Sequence, residues 1–226
     1  MERGGTMYQL ICHEDFIAYE DGLLLQQNAF EMVKNKVSDG IILVLQHRPV
    51  YTIGTGGGWQ NFLFAKDFFD SQGIDIVEVS RGGNVTFHGP GQIVVYPILD
   101  LTKLRKDVHW YIECLEEVIV RVLKQYGVLG TRKPEYRGVW VGDEKIAAVG
   151  VSVKRWITQH GLSFNVDVDK KYFDWINPCG IKEFGITSLE DHVAQFDHDE
   201  LVRQLADCME EVFGISIHGK EESIGK

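Results

Sequence analysis

Hydrophobic positions along this chain recur in two rhythms, and each rhythm predicts a different kind of element. From Trp110 to Tyr126 the apolar residues Ile112, Leu115, Ile119, Val122 and Tyr126 follow a 3-4-3-4 spacing. That spacing lays one stripe down a helix, with Gly127 placed to cap its C-terminus. Asp199 to Phe213 repeats the pattern through Leu201, Leu205, Cys208 and Val212, with Gly214 as the stop. A less regular stripe, Leu24, Ala29 and Met32–Val33, predicts a third helix over Asp21–Val37. Strands are expected at the apolar run Ile41–Leu45, at the alternating Ile74–Val79, and at Ile93–Leu101, closed by Pro97 and Asp100. Val139–Val141 and Lys145–Val151 flank Gly142-Asp143-Glu144 and predict a hairpin. A further strand is expected at Leu162–Val168. Hairpins interspersed with helices favour an α+β fold over a doubly wound sheet. One domain is expected over residues 1–226, with scope for a small C-terminal lobe from about residue 190.

Composition narrows the classes. The 226 residues are 44% hydrophobic and 25% charged, enough to bury a substantial core. The formal net charge of −10 argues against a nucleic-acid partner. No apolar run approaches the ~18 residues of a membrane span, and Met1–Leu10 has no stretch of signal-peptide length. Met7 is an alternative start, with Met1–Thr6 as leader. Cys12, Cys114, Cys179 and Cys208 show no paired spacing, which fits reduced thiols in a cytoplasmic protein.

Three segments could carry chemistry. In Arg81-Gly82-Gly83-Asn84-Val85-Thr86-Phe87-His88-Gly89-Pro90-Gly91-Gln92, glycines that allow close backbone approach surround a fixed cation and an imidazole. A pair of tight turns would account for the glycines alone; Arg81 and His88 favour a ligand loop. Gly54–Gly58 has no such partner and reads as a flexible loop. In Asn177-Pro178-Cys179-Gly180-Ile181 the flanking Pro and Gly forbid a helix, so Cys179 projects from a loop. Cys114 and Cys208 sit on expected helices and read as packing. Spacing alone leaves Cys179 open between a structural and a reactive role. Lys145 lies just past the hairpin turn, where a lone lysine is ordinarily a solvated charge. Ala147, Ala148 and Gly150 after it are too small for an ordinary strand and leave room for a ligand chain or another backbone.

Taken together, Arg81-Gly-Gly-x-x-Thr-x-His-Gly-Pro-Gly-Gln92, Lys145-Ile-Ala-Ala-Val-Gly150, His160-Gly-Leu-Ser-Phe-Asn165 and Pro178-Cys-Gly-Ile181 resemble the motif set of the octanoyltransferases of lipoate biosynthesis, in the same order and at similar spacing. Phe184-Gly-Ile-Thr-Ser-Leu189 also fits, so the resemblance spans roughly residues 41–189. Ser163, where alanine is common, and the glycine-rich Gly56–Gly58 are departures. The resemblance implies a mixed, largely antiparallel β-sheet flanked by helices, as in biotin and lipoate ligases. It implies an acyltransferase that moves octanoyl from octanoyl-acyl carrier protein, through a thioester on Cys179, to the carrier lysine of lipoyl domains in 2-oxoacid dehydrogenases and of the glycine cleavage H protein. Lys145 would be the second catalytic residue. Arg81–His88 (Arg81, Gly82, Gly83, Asn84, Val85, Thr86, Phe87, His88), Ala148, Val149, Gly150, Gly161, Leu162 and Ser163 would bind the acyl group. No cofactor and no metal are implied.

The chemistry suits those residues. A thiol of pKa ~8.5 is a few per cent thiolate at neutral pH, and an ammonium ~4 Å away is worth roughly 4 kcal/mol at an effective dielectric of 20. With Cys179 acylated, the lysine can deprotonate the incoming amine. Seven carbons beyond the carbonyl offer on the order of 5 kcal/mol of apolar burial. Rival readings are an ATP-dependent lipoate or biotin ligase, which needs no cysteine, and an octanoyl amidotransferase between carrier domains. A Cys179/His88/His160 metal protein lacks ligand spacing, and a non-catalytic ligand-binding module would show no turnover. An acidic carrier protein docking on an acidic chain requires a local basic patch, with Lys103/Arg105/Lys106 and Arg132/Lys133/Arg137 as the clusters on offer.

Overall fold

The computed structural model describes residues 8–177 and 184–222. The chain runs β1 (Tyr8–Ile17), α1 (Tyr19–Lys34), β2 (Gly40–His47), β3 (Val50–Ile53), α2 (Lys66–Ser71), β4 (Asp75–Glu78), β5 (Val85–His88), β6 (Gln92–Leu99), α3 (Val108–Gln125), β7 (Thr131–Lys133), β8 (Tyr136–Val141), β9 (Glu144–Lys154), β10 (Ile157–Asn165), β11 (Gly185–Ile186), α4 (His198–Phe213) and β12 (Ile217–Glu222). The main sheet has the order β12-β1-β2-β6-β10-β9-β8-β7, with β11 added beside β9; a small sheet has the order β4-β3-β5. In the main sheet β1 is parallel to both neighbours and β11 is parallel to β9, while the neighbours along β2-β6-β10-β9-β8-β7 pair antiparallel. This is the mixed, largely antiparallel α+β architecture expected.

Both faces of β2 and β6 are covered, which explains their unbroken apolar runs. Ile42, Val44, Ile93 and Val95 pack with α3 and α4, whose Leu115, Ile119, Val122, Leu201, Leu205 and Met209 join the same core. Ile41, Leu43, Leu45, Val94 and Ile98 face Ala29, Phe30 and Val33 of α1. A third core lies under the small sheet, around Tyr51, Phe69, Phe87 and Phe173.

α3 and α4 begin and end close to where their stripes predict. The Asp107 carboxylate accepts from Trp110 N–H and that of Asp197 from Glu200 N–H; Gly127 and Gly214 take φ 72° and 65°. α1 starts two residues before its expected limit and ends three before, because Lys36 turns left-handed (φ 59°) and Val37 N–H caps the Met32 carbonyl. β6 does not close at Pro97 but runs through it. The Thr158 hydroxyl accepts from Leu99 N–H and donates to Pro97 O, replacing ladder bonds where proline has no donor. The sequence pattern does not predict β1, β3, β5, β7, β11, β12 or α2.

Candidate functional site

The Arg81–His88 loop lies over the α1-facing side of the main sheet and roofs a cavity of about 510 Å³. Its floor comes from β6, β9 and β10. Val94 pairs with Ser163, Ser163 with Ala148, and Gly161 with Gly150, so these residues lie side by side across three strands. Lys145 opens onto the cavity at one end of this row; Tyr96 and His160 bound it further along the strands. Glu135, with Tyr136 and Arg137 at the start of β8, and Ile112 of α3 complete the rim.

Arg81 ties the roof down. Its guanidinium donates to Thr52 O and Thr52 Oγ1 at 2.8 and 2.7 Å and to Gly82 O at 3.0 Å, and Gly82 N–H donates to Val151 O on the edge of β9. The expectation that Gly54–Gly58 is a flexible loop without partners does not hold. Gly54, Thr55 and Gly56 N–H donate to Asn84, Arg81 and Gly83 carbonyls, and a Cβ at Gly54 or Gly56 would fall within 2.8 Å of Gly83 O. That glycine run backs the roof, and its meaning was invisible without the other loop.

The small residues of β9 and β10 divide into two kinds. A Cβ on Gly150 would press on Arg81 and Gly82, and one on Gly161 would collide with Val95 O at 2.1 Å. These glycines admit neighbouring backbone. Ala148 and Ser163 instead face open space.

His88 is 6% exposed and forms one end of a buried relay. Thr187 N–H donates to Lys145 O, and Thr187 O accepts from Asn165 Nδ2. Asn165 Oδ1 therefore accepts from Gln92 Nε2, and Gln92 Oε1 must accept at 2.7 Å from His88 Nδ1–H. The polarity of this chain leaves Nε2 of His88 as a lone-pair acceptor. Burial, aided by His47 and Arg81, holds the His88 pKa well below the usual range, so the ring is neutral. A second relay runs from Ile17 O to His47 Nδ1–H, with His47 Nε2 2.8 Å from the Tyr96 hydroxyl and Tyr96 hydrogen-bonded to Tyr19. Burial pushes His47 down to about 4 and Tyr19 up to about 12; burial with Arg81 pushes His160 down to about 4.

These histidines make an acid-sensitivity prediction. Between pH 6.5 and about 4 the unfolded chain binds protons at His47 and His160 that the folded chain refuses. Stability is therefore intact above 6.5 and declines as pH falls, by on the order of 3 kcal/mol per ring at full effect. Glu116, whose carboxyl is raised by burial, works in the opposite direction as one group. Urea unfolding at pH 7.5 and pH 5 should show the loss; equal midpoints would refute it.

Lys145 is not the solvated charge its position past a turn suggests. It is 7% exposed, and its Nζ lies 4.8 Å from the centre of the Trp140 ring. Every other residue expected to bind the acyl group lines the cavity except Phe87, which is wholly buried in the third core, edge-on to Phe173 and stacked on Tyr172. Cys179 lies outside the described residues. Its flanks do not: Asn177 N–H donates to Asn61 O, Asn61 Nδ2 donates to Asn84, and Ile186 pairs with Lys145. Cys114 and Cys208 are buried, with thiols pushed up to about 11 by burial. Sequence reading missed Tyr19, Gly56, Val94 and Tyr96 as lining residues. It quoted His160 only as part of a motif.

Among the described residues no three His, Cys, Asp or Glu side chains come together as a metal site. No helix among them is long and apolar enough to cross a membrane. The proposed basic clusters are largely matched by acids, Lys103 by Asp39, Arg105 by Asp107, Arg132 by Glu117 and Lys133 by Asp143.

The fold is the one shared by lipoate- and biotin-protein ligases. A crystal structure of lipoate-protein ligase A bound with ATP superposes with a TM-score of 0.73 at 15% identity, covering 98% of this chain and 90% of that one. Biotin protein ligase from Aquifex aeolicus does so at 0.53 and 13%, covering 91% and 68%. The chain belongs to the lipoyl protein ligase A/B catalytic domain family, whose model it matches over residues 18–210. Among curated relatives, an octanoyltransferase of Clostridium kluyveri is 47% identical over 208 residues, 92% of this chain and 89% of its own. One of Caldanaerobacter subterraneus subsp. tengcongensis is 48% identical over 199 residues, 88% and 87%. This chain is an acyltransferase.

Proposed function

We propose that the chain acts as one catalytic domain, in the cytoplasm and without cofactor, to transfer octanoyl from octanoyl-acyl carrier protein to the lysine of lipoyl carrier domains. The acceptors would be those of 2-oxoacid dehydrogenases and the glycine cleavage H protein. The observation that carries the reading is the buried Lys145 at one end of an apolar-floored cavity, with one flank of the Cys179 segment tied through Asn61 to Asn84 of the cavity roof and the other paired with Lys145 itself.

In the first half-reaction the Cys179 thiolate attacks the donor thioester carbonyl. The C–S bond to the carrier breaks and the departing thiolate takes a proton from the Lys145 ammonium, which leaves Lys145 a neutral amine. The ammonium of Lys145 favours the thiolate form of Cys179 electrostatically. The octanoyl chain lies over Val94, Ala148 and Ser163. In the second half-reaction the acceptor amine attacks the acyl-cysteine, Lys145 takes up the amine proton, and Cys179 is released as the sulfur leaving group.

Incubation with octanoyl-acyl carrier protein and no ATP should add one octanoyl mass to the protein, mapped to Cys179, and apo carrier domain should discharge it. An adduct on Cys12, Cys114 or Cys208, or transfer that begins only with free octanoate and ATP, would overturn the assignment.

A further inference from the structure

The far end of the cavity from Lys145 is not an apolar bottom. Tyr96 and His160 bound it there, Tyr19 bridges from Tyr96 to the His88 ring, and each of the four is at least nine-tenths buried. Behind them His47 is completely buried and does not reach the cavity. Gly22 on α1 is the only residue that fits there, since a Cβ would stand 2.6 Å from His47 Cε1. Tyr19 also stacks on His88, with ring centres 6.0 Å apart and planes at 12°. Tyr96 meets His160 edge-on at 6.3 Å. The backbone of His160, at φ 57°, is held by Gln26 Oε1 of α1, which accepts its N–H at 2.7 Å.

The hydrogen bonds of this wall have a fixed direction. Ile17 O commits His47 Nδ1 as donor, so His47 Nε2 accepts the Tyr96 proton. Tyr19 shares a hydrogen bond with Tyr96 and lines the cavity.

We propose that this hydrogen-bonded wall, with Tyr19 and Tyr96 as its specificity-determining residues, sets the acyl-chain length that the enzyme accepts. The inference rests on the acyl-transfer reading above and names the groups that limit its substrate. A chain that ends short of the wall gains apolar contact with every methylene. One that is longer must push its terminal methyl between Tyr19, Tyr96 and His88. That displaces buried hydrogen bonds whose loss outweighs what one further methylene gains. The packed rings cannot yield gradually, because α1, β2, β5 and β6 each hold one member. Length selection is therefore steep instead of graded.

The test compares hexanoyl, octanoyl, decanoyl and dodecanoyl carrier-protein thioesters in the wild type, Tyr19→Val, Tyr19→Phe and Val94→Phe. The wild type should show kcat/KM falling sharply beyond the preferred length. Tyr19→Val, which opens the wall, should raise the dodecanoyl-to-octanoyl ratio by roughly tenfold, the scale of one buried hydrogen bond spared. Tyr19→Phe keeps the ring and should move the ratio in the same direction by less. Val94→Phe fills the floor in front of the wall and should move preference toward hexanoyl. If Tyr19→Val fails to fold, Tyr19→Phe and Val94→Phe still decide the matter. A ratio unchanged within twofold in active variants, or a wild type equally active on dodecanoyl, would overturn the wall while leaving octanoyl transfer standing. A wild type that transfers no acyl group from any thioester would overturn both.

Discussion

Cys179→Ser should lose at least about a thousandfold in octanoyl transfer, the scale on which removing an enzyme's nucleophile acts. The other cysteines cannot take its place. The Cys114 and Cys208 thiols are raised to about 11 by burial among core residues of α3 and α4 and are essentially all protonated at neutral pH. Cys12 is half-buried on β1, which β2, β6 and β10 separate from β9. Cys12→Ser should keep transfer within about twofold of wild type. Serine retains the shape of the side chain but is a far poorer nucleophile at this pH, so the variant should fold normally, bind donor and leave it intact. Steady-state transfer to an apo carrier domain measures the loss. Retention of a tenth or more of wild-type activity would remove Cys179 from the mechanism.

Lys145→Ala should lose between about a hundredfold and ten-thousandfold, the span of a positioned general acid–base group. Two separate readouts divide its roles. If the ammonium favours the Cys179 thiolate, alkylation of Cys179 by iodoacetamide should shift toward higher pH in the alanine variant. If Lys145 also takes the amine proton, acyl-enzyme formed at high pH should persist when mixed with apo carrier domain. Lys145→Arg keeps the charge and removes the base. It should retain part of the alkylation rate at neutral pH and still fail at transfer. Because Lys145 is buried against Trp140, near-ultraviolet circular dichroism of each variant must match wild type for the comparison to count. Alkylation and transfer both within twofold of wild type would end its catalytic assignment.

How much of this was legible depended on how local the information was. α3 and α4 were readable because their stripes, acidic N-caps and terminal glycines lie within one stretch of chain. The β8–β9 hairpin was readable from Gly142-Asp143, with Gly142 at φ 58°. The β9–β10 hairpin was not. Its turn is Arg155-Trp156, both at positive φ (55° and 64°), and neither residue signals such a turn. Leu101 N–H, from outside the hairpin, donates to Trp156 O within that turn. β1 and β12 were missed because parallel pairing to β2 and to each other leaves no short-range mark.

The site follows the same division. The sequence alone determined which segments hold chemistry, because the Arg81–Gln92, Lys145–Gly150, His160–Asn165 and Pro178–Ile181 motifs carry residue types that ordinary turns and strands do not need. Only the tertiary structure decided what each residue in them faces. It turned Phe87 into a core and Lys145 out of solvent, and gave Gly150 and Gly161 to neighbouring backbone while leaving Ala148 and Ser163 to the cavity. It brought Tyr19, some sixty residues or more from any motif, into the wall beside His88. The physical reason is that hydrophobic period and capping act over a few residues of one element. Hydrogen-bond direction, steric fit and burial depend on which distant elements meet.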